Sequence, residues 1–387
     1  MKRILILMSK TGGGHLASAK ALKEAFEARP QEQFEVEIID FLADYLSFPI
    51  NRIPRAYDVV VNRAPTFWRL LWNTMASPRI SEAAARTVII SARRQIENLI
   101  RTKRPNLVLS VHPLVNHVFI PILKRVSPST PYITVVTDLE SVHPLWLHPD
   151  ATATFVPSEK IAAAAVLRGI DRQQVHALGL PVRNEFSEPK PDRRTLRQTF
   201  GLSPDLAAIL VIGGGSGVGG LTAIVEHIAD ATSKRQDHLP VQLVVVCGNN
   251  APLRNILSNR RWPIPVAVLG FTNRMSDLMH ACDLIVTKAG PGTIAEATIC
   301  GLPIILSGFI PGQEEGNVRL VIENYAGLYL PNPTQIAATV TRLLGPDRSI
   351  LDMMRSRSKT LGKPEATGEI VRTITELMRW QEPKCVA

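Results

Sequence analysis

The 387 residues exceed what one hydrophobic core ordinarily supports, so two domains of ordinary size are expected. A composition of 45% hydrophobic and 20% charged residues excludes a largely disordered chain, and no run approaches the roughly 18 consecutive apolar residues of a membrane-spanning helix. The formal charge of +10 favours an anionic partner, and nucleic acid, an acidic membrane and phosphorylated small molecules all qualify.

The chain opens with MKRILILMSKTGGGH, which reads as a strand and a turn and not as a secretory leader. Ile4 to Met8 is a short buried-type strand, Thr11 to His15 a glycine turn, and LASAKALKEAFEA a helix. Backbone amides around Gly14 can approach an anion at the helix N-terminus, and His15 is placed as a general base. The same spacing also fits glycines that only make a tight turn, with His15 a helix-start filler.

Strands are expected at 34–40, 107–111, 132–136 and 153–157, separated by helical sequence, as in a parallel doubly wound sheet. Between them, Leu46 to Met75 mixes Phe48, Phe67, Trp68 and Trp72 with Arg52, Arg55, Arg63 and Arg69. This is the composition of an interfacial segment that seeks anionic lipid, although a core helix with a solvated basic face has it too. From Tyr45 to Arg104, eleven Lys and Arg stand against three acids, a local charge of +8 that favours the membrane reading. His112, His117, Asp138, His143 and His148 lack tight ligand spacing on any one element, so structural or acceptor-side roles are expected in place of a metal site.

Leu180 to Asp192 holds three prolines and cannot continue a helix or strand, which places the interdomain linker there. The second half repeats strand, glycine turn and helix from AAILVIGGGSGVGGL at 207–221, then continues through VQLVVVCG, VAVLGF, DLIVTKAG and PIILSG. The leading architecture is α/β, two Rossmann-like domains facing across a cleft in the glycosyltransferase-B manner, with ligands at the carboxyl ends of both sheets, and the periplasmic-binding and epimerase folds are the alternatives. The domain bounds expected are 1–182 and 193–364, with 365–387 a helix crossing back to the first.

The Gly214, Gly215, Ser216 loop lacks the Gly-Lys-Ser/Thr of a P-loop and the acidic ribose ligand of a dinucleotide site. The stretch from Thr287 to Glu296 is more specific. A strand ends there, Gly290 and Gly292 open the backbone, and Thr293 starts a helix whose amides suit a diphosphate. Glu296, one helical turn on, reaches both hydroxyls of a ribose. Gln313 and Glu314, in PGQEEGN, supply the mixed donors and acceptors that a sugar needs. The chain has no Asp-x-Asp pair, so metal independence is expected, with the leaving group held by amides and basic side chains. Cys247, Cys282, Cys300 and Cys385 have neither metal nor disulfide spacing, which points to a reducing, cytoplasmic setting.

These residues together resemble the monogalactosyldiacylglycerol synthases, grouped with the peptidoglycan N-acetylglucosaminyl transferases. The resemblance runs over about residues 3–345 and rests on TGGGHLASAKAL, VHPLVNH, VTDLESVHPLWLHP, LGLPVRNEF, the GGGSG loop, CGNN, VLGFTNRMSDLMHACDLIVTKAGPGTIAEA and GLPIILSGFIPGQEEGN. It implies an inverting transfer of hexose from a UDP-sugar to diacylglycerol, galactose before glucose, with His15 as base and no cofactor. It further implies Gly270, Phe271 and Thr272 facing uracil, Glu296 on ribose, Gln313 and Glu314 on the sugar, and Asn317 supporting that loop. Phe48, Arg52, Arg55, Phe67, Trp68, Arg69, Trp72, Asp138 and His143 are then expected on the acceptor and membrane side. The chain is shorter than plant-type members and shows no transit peptide, so a bacterial enzyme peripheral on the cytoplasmic side of the cell membrane is expected. A polyprenyl-linked acceptor or a soluble UDP-amino-sugar epimerase are the competing enzyme readings. A nucleic-acid-binding scaffold fits the charge but not two sugar-nucleotide loops.

Overall fold

Parallel strands covered by helices on both faces read as unbroken apolar runs, and RILILM, AAILVI and VQLVVV have that form. A computed structural model describes residues 1–29, 31–213, 220–234 and 240–380, apart from the side chains of Asp58 and Trp380. In it each run is a parallel strand. The first sheet contains β1 (Lys2–Met8), β2 (Phe34–Asp40), β3 (Leu107–Ser110), β4 (Tyr132–Val135), β5 (Ala153–Val156) and β6 (Val175–Ala177), in the order β2-β1-β3-β4-β5-β6. The second contains β7 (Ala207–Ile212), β8 (Val241–Val246), β9 (Val266–Leu269), β10 (Leu284–Lys288), β11 (Ile304–Gly308) and β12 (Gly327–Tyr329), in the order β12-β11-β10-β7-β8-β9. The expected strands form, several ending one or two residues early. β6 and β12 escape a sequence reading because three residues, VHA and GLY, carry no period.

The chain divides into two compact units, one of residues 1–184, 311–313 and 364–387, the other of 185–310 and 314–363. In the first, alternate side chains of β1 enter different cores, because successive Cβ atoms point to opposite sheet faces. Leu5 and Leu7 pack with Phe41, Ile96 and Phe119. Ile4 and Ile6 pack with Phe26, Ile370 and Ile374, so the C-terminal helix Ala366–Trp380 closes that face of the first unit. The second unit carries a core of Val211, Val225, Val245, Val286 and Val340.

The segment 180–192, expected to hold no regular structure, contains one turn of 3-10 helix, Asn184–Phe186. Asp192 at its end caps the helix Arg193–Thr199 by accepting from the Arg194 and Thr195 amides. Among the described residues no helix is long and apolar enough to cross a membrane.

Candidate active site

In an open parallel sheet, ligands bind beyond the carboxyl ends of the strands where the strand order reverses. In the first sheet the reversal lies between β1 and β3, which flank each other with β2 outside. The two loops leaving those strands carry Gly12 to His15 and His112. Gly12 takes φ +73°, a backbone that side chains other than glycine's seldom adopt, and this sharp turn starts the helix Gly14–Glu27. His15 is the second residue of that helix. Its ring lies 4.6 Å from that of His112 and 6.0 Å from that of Trp146.

His15 Nδ1 is 2.9 Å from Thr137 Oγ1. In the tautomer that donates Nδ1–H to this oxygen, Nε2 keeps a lone pair for an incoming proton. Loss of hydration lowers the His15 pKa to about 4, outweighing a Val111 backbone hydrogen bond that favours the charged ring. His112 is driven well below the ordinary imidazole range by burial and by the neighbouring His15. Its Nδ1 accepts the Leu114 amide at 3.3 Å and its Nε2 lies 2.9 Å from Thr11 Oγ1. His112 is therefore the neutral Nε2–H tautomer, and it ties the loop after β3 to the glycine turn after β1. His112 was visible in the sequence only as one of a histidine cluster. The strand order is what sets it beside His15.

The segment between β2 and β3 folds as the helices Ile53–Arg63, Pro65–Met75 and Pro78–Lys103. Phe48 (79%) and Phe67 (57%) are exposed beside Leu70 (65%), and Arg52, Arg55 and Arg69 are exposed as well. Trp68 and Trp72 are half-buried. Two residues expected with them are buried. Asp138 is buried with its carboxylate accepting the Trp146 indole N–H at 2.7 Å, and His143 is buried with Nε2 3.1 Å from the Trp72 carbonyl. A cavity of about 730 Å³ in this unit is lined by Trp72, His117, Ser141, His143, Leu147 and Arg168. Among the described residues no group of three His, Cys, Asp or Glu is placed to hold a metal.

In the second sheet the order reverses between β7 and β10. Gly214, Gly215 and Ser216, after β7, lie outside the described residues. After β10, Gly290 is the N-cap of the helix Pro291–Ile299, which has no side-chain cap and no acid in its first turn, the kind of helix start that favours an anion. Gly292, Thr293 and Glu296 follow on that helix, each part-exposed. At the end of β9, Phe271 is exposed, and Thr272 accepts the Arg274 amide at 3.1 Å. Asn317 is buried and donates Nδ2–H to the Ala289 carbonyl at 2.9 Å, fixing the glycine turn.

Glu314 departs from its expected place on the sugar. It is 2% exposed, and its oxygens already take the Lys288 ammonium at 2.6 Å and the Ile310 amide at 2.9 Å. Gln313 belongs to the short segment grouped with the first unit, where its Oε1 accepts the Tyr57 hydroxyl at 3.0 Å.

The description "Monogalactosyldiacylglycerol (MGDG) synthase" fits residues 15–182, and "Glycosyltransferase family 28 C-terminal domain" fits residues 208–367. The chain is 40% identical over 384 residues to monogalactosyldiacylglycerol synthase 1 of Arabidopsis thaliana, covering 98% of this chain and 71% of that protein. The chain belongs to the monogalactosyldiacylglycerol synthase family. The spinach (Spinacia oleracea) synthase is likewise 40% identical, over 98% of this chain and 73% of its own. Among solved structures, MurG of Acinetobacter baumannii superposes with a TM-score of 0.61 over 97% of this chain and 100% of that one, at 14% identity. A UDP-N-acetylglucosamine 2-epimerase, so described, of Listeria monocytogenes gives 0.63 over 99% and 98%, at 15% identity. These two share the fold. The family makes this protein a glycosyltransferase of glycolipid synthesis.

Proposed function

We propose that this monogalactosyldiacylglycerol synthase homologue transfers galactose, and glucose less well, from the UDP-sugar to 1,2-diacylglycerol, with inversion at the anomeric carbon. The observation that carries this reading is His15, a neutral imidazole at the strand-order reversal of the first sheet, oriented by Thr137 and flanked by His112. The glycerol hydroxyl gives its proton to His15 as its oxygen bonds to the anomeric carbon, and one displacement at that carbon inverts it. The amides of the helix Pro291–Ile299 receive the departing diphosphate, and Glu296 and the end of β9 hold the nucleoside.

The acceptor reaches the first unit from an anionic membrane surface on the cytoplasmic side, met by Phe48, Phe67 and Leu70 with Arg52, Arg55 and Arg69. The cavity beside Trp72 and His143 takes part of the lipid. The reaction runs without a metal ion.

The deciding experiment supplies purified protein with diacylglycerol in anionic liposomes and radiolabelled UDP-galactose or UDP-glucose, with a chelator present throughout. Label in the chloroform phase, faster from UDP-galactose, with the β-anomer seen by NMR, is expected. Label only with an amino-sugar donor, or only on a polyprenyl acceptor, would replace this reading.

A further inference from the structure

β10 and β11 run in register through Thr287 and Leu306, then slip so that Lys288 lies opposite Gly308. Such a slip leaves one residue unpaired and re-aims the side chain beyond it. Ser307, the extra residue, donates its hydroxyl to the Thr287 carbonyl at 3.2 Å, and the Ala289 amide donates to the Gly308 carbonyl at 2.8 Å. These two bonds hold the irregular strand end, from which Lys288 reaches Glu314. A Cβ added to Gly290 would stand 3.6 Å from Lys288 Nζ, so the ammonium sits over the N-cap of the helix Pro291–Ile299.

Glu314 closes a ring with Ile310. Its carboxylate accepts the Ile310 amide at 2.9 Å while its own amide donates to the Ile310 carbonyl at 2.9 Å. A carboxylate buried to this degree requires a counterion, which Lys288 supplies. Lys288 has three donors, and its side chain stays 33% exposed, so the ammonium can serve a second anion beside the uncapped helix start.

We propose that Lys288 contacts the diphosphate of the bound nucleotide sugar and stabilises it as the leaving group, with Glu314 holding the ammonium in place when no donor is bound. The inference rests on the UDP-sugar reading above. As the bond from the anomeric carbon to the β-phosphate oxygen breaks, its electron pair stays on that oxygen, the acceptor oxygen bonds to the carbon, and the acceptor proton passes to His15. The diphosphate gains one negative charge in this step. A cation beside it therefore favours the transition state over the bound substrate.

Calorimetric titration of the full-length protein with UDP and with uridine tests this. Lys288→Gln should weaken UDP about 10- to 100-fold, the range of a charge-assisted hydrogen bond, and leave uridine within about twofold. Glu314→Gln should bind UDP at least as well as the wild type, since it releases the ammonium. The double variant, which buries no unpaired charge and so keeps the test readable if Lys288→Gln unfolds, should remain as weak as Lys288→Gln. Recovery of UDP affinity in the double variant would show that Lys288 serves only Glu314, and equal loss for uridine would show a general defect. Either result overturns the inference while wild-type UDP binding, measured alongside, leaves the donor reading standing.

Discussion

The two units are built alike and equipped differently. Each is a six-stranded parallel sheet whose order reverses once, and in each the reversal is flanked by loops that open helices. The first unit places imidazoles there, His15 against His112, and among the described residues every histidine held below its ordinary range lies in that unit: His15, His112, His117, His143, His148 and His176. The second places an uncapped helix start and an ion pair there, Lys288 with Glu314. In the reaction proposed above, one scaffold serves proton transfer in one copy and anion binding in the other. The chemistry follows from the few side chains at the reversal and not from the fold.

That division is broken most directly at His15. His15→Ala should lower turnover by about 10²- to 10⁴-fold, the usual range for a general base, while UDP affinity stays within twofold. The paired measurement is steady-state turnover on liposomal diacylglycerol and calorimetric titration with UDP. A comparable loss in both would mean that the first unit also holds the nucleotide, and the comparison between units would fail.

A smaller effect is expected on the outer face of the first unit. Phe67 and Leu70 are exposed on one helix, Pro65–Met75, beside exposed Arg69. Replacing both by Ser should lower affinity for vesicles of mixed neutral and anionic lipid about tenfold or more, given about 25 cal/mol for each Å² of apolar surface withdrawn from water. Co-sedimentation with those vesicles measures it. The residual binding should weaken with added salt, because arginines attract an anionic surface within a Debye length. Vesicle binding unchanged by the double substitution would remove this face from the membrane-contacting surface.

Much of this was legible in the sequence, for reasons that differ between elements. Runs such as AAILVI and VQLVVV declare buried parallel strands because both sheet faces are covered. The glycine turns before His15 and at Gly290 show where helices start. Three-residue strands left no pattern. The partners of His15 were hidden because Thr137 and Trp146 come from loops over 120 residues away in the chain, and nothing local marks a hydroxyl or an indole as facing an imidazole. Asp138 was expected on the acceptor and membrane side and is the buried acceptor for the Trp146 indole. Glu314 looked like a sugar ligand because PGQEEGN is polar throughout, and polarity does not reveal that a carboxylate will fold back on Ile310. Lys288 went unremarked since a lysine ending a strand is ordinary, and only the slip against β11 aims it.

The smallest effect separates the units by acidity. Burial lowers the pKa of each of the six histidines, to about 4 for His15 and His148, so the folded first unit takes up these protons at lower pH than the unfolded chain does. The unfolded state therefore binds more protons once the pH falls below about 6.5, and the stability of the first unit is whole above that pH and declines below it. The carboxylates held below their usual range in the second unit, Asp192, Asp277 and Asp347, act in the same direction only at and below their ordinary value of 3.8. Between pH 6.5 and about 4.5 the decline should belong to the first unit. At pH 6 each ring contributes under about 1 kcal/mol, since a full pKa unit corresponds to about 1.4 kcal/mol. Hydrogen exchange of the full-length protein at pH 7.5 and pH 6, corrected for intrinsic rates, should show protection falling in β1, β3 and β4 and holding in β7, β8 and β10. Equal loss in both sheets would mean that the units unfold as one cooperative body, and the histidines could not then be assigned a separate effect on the first.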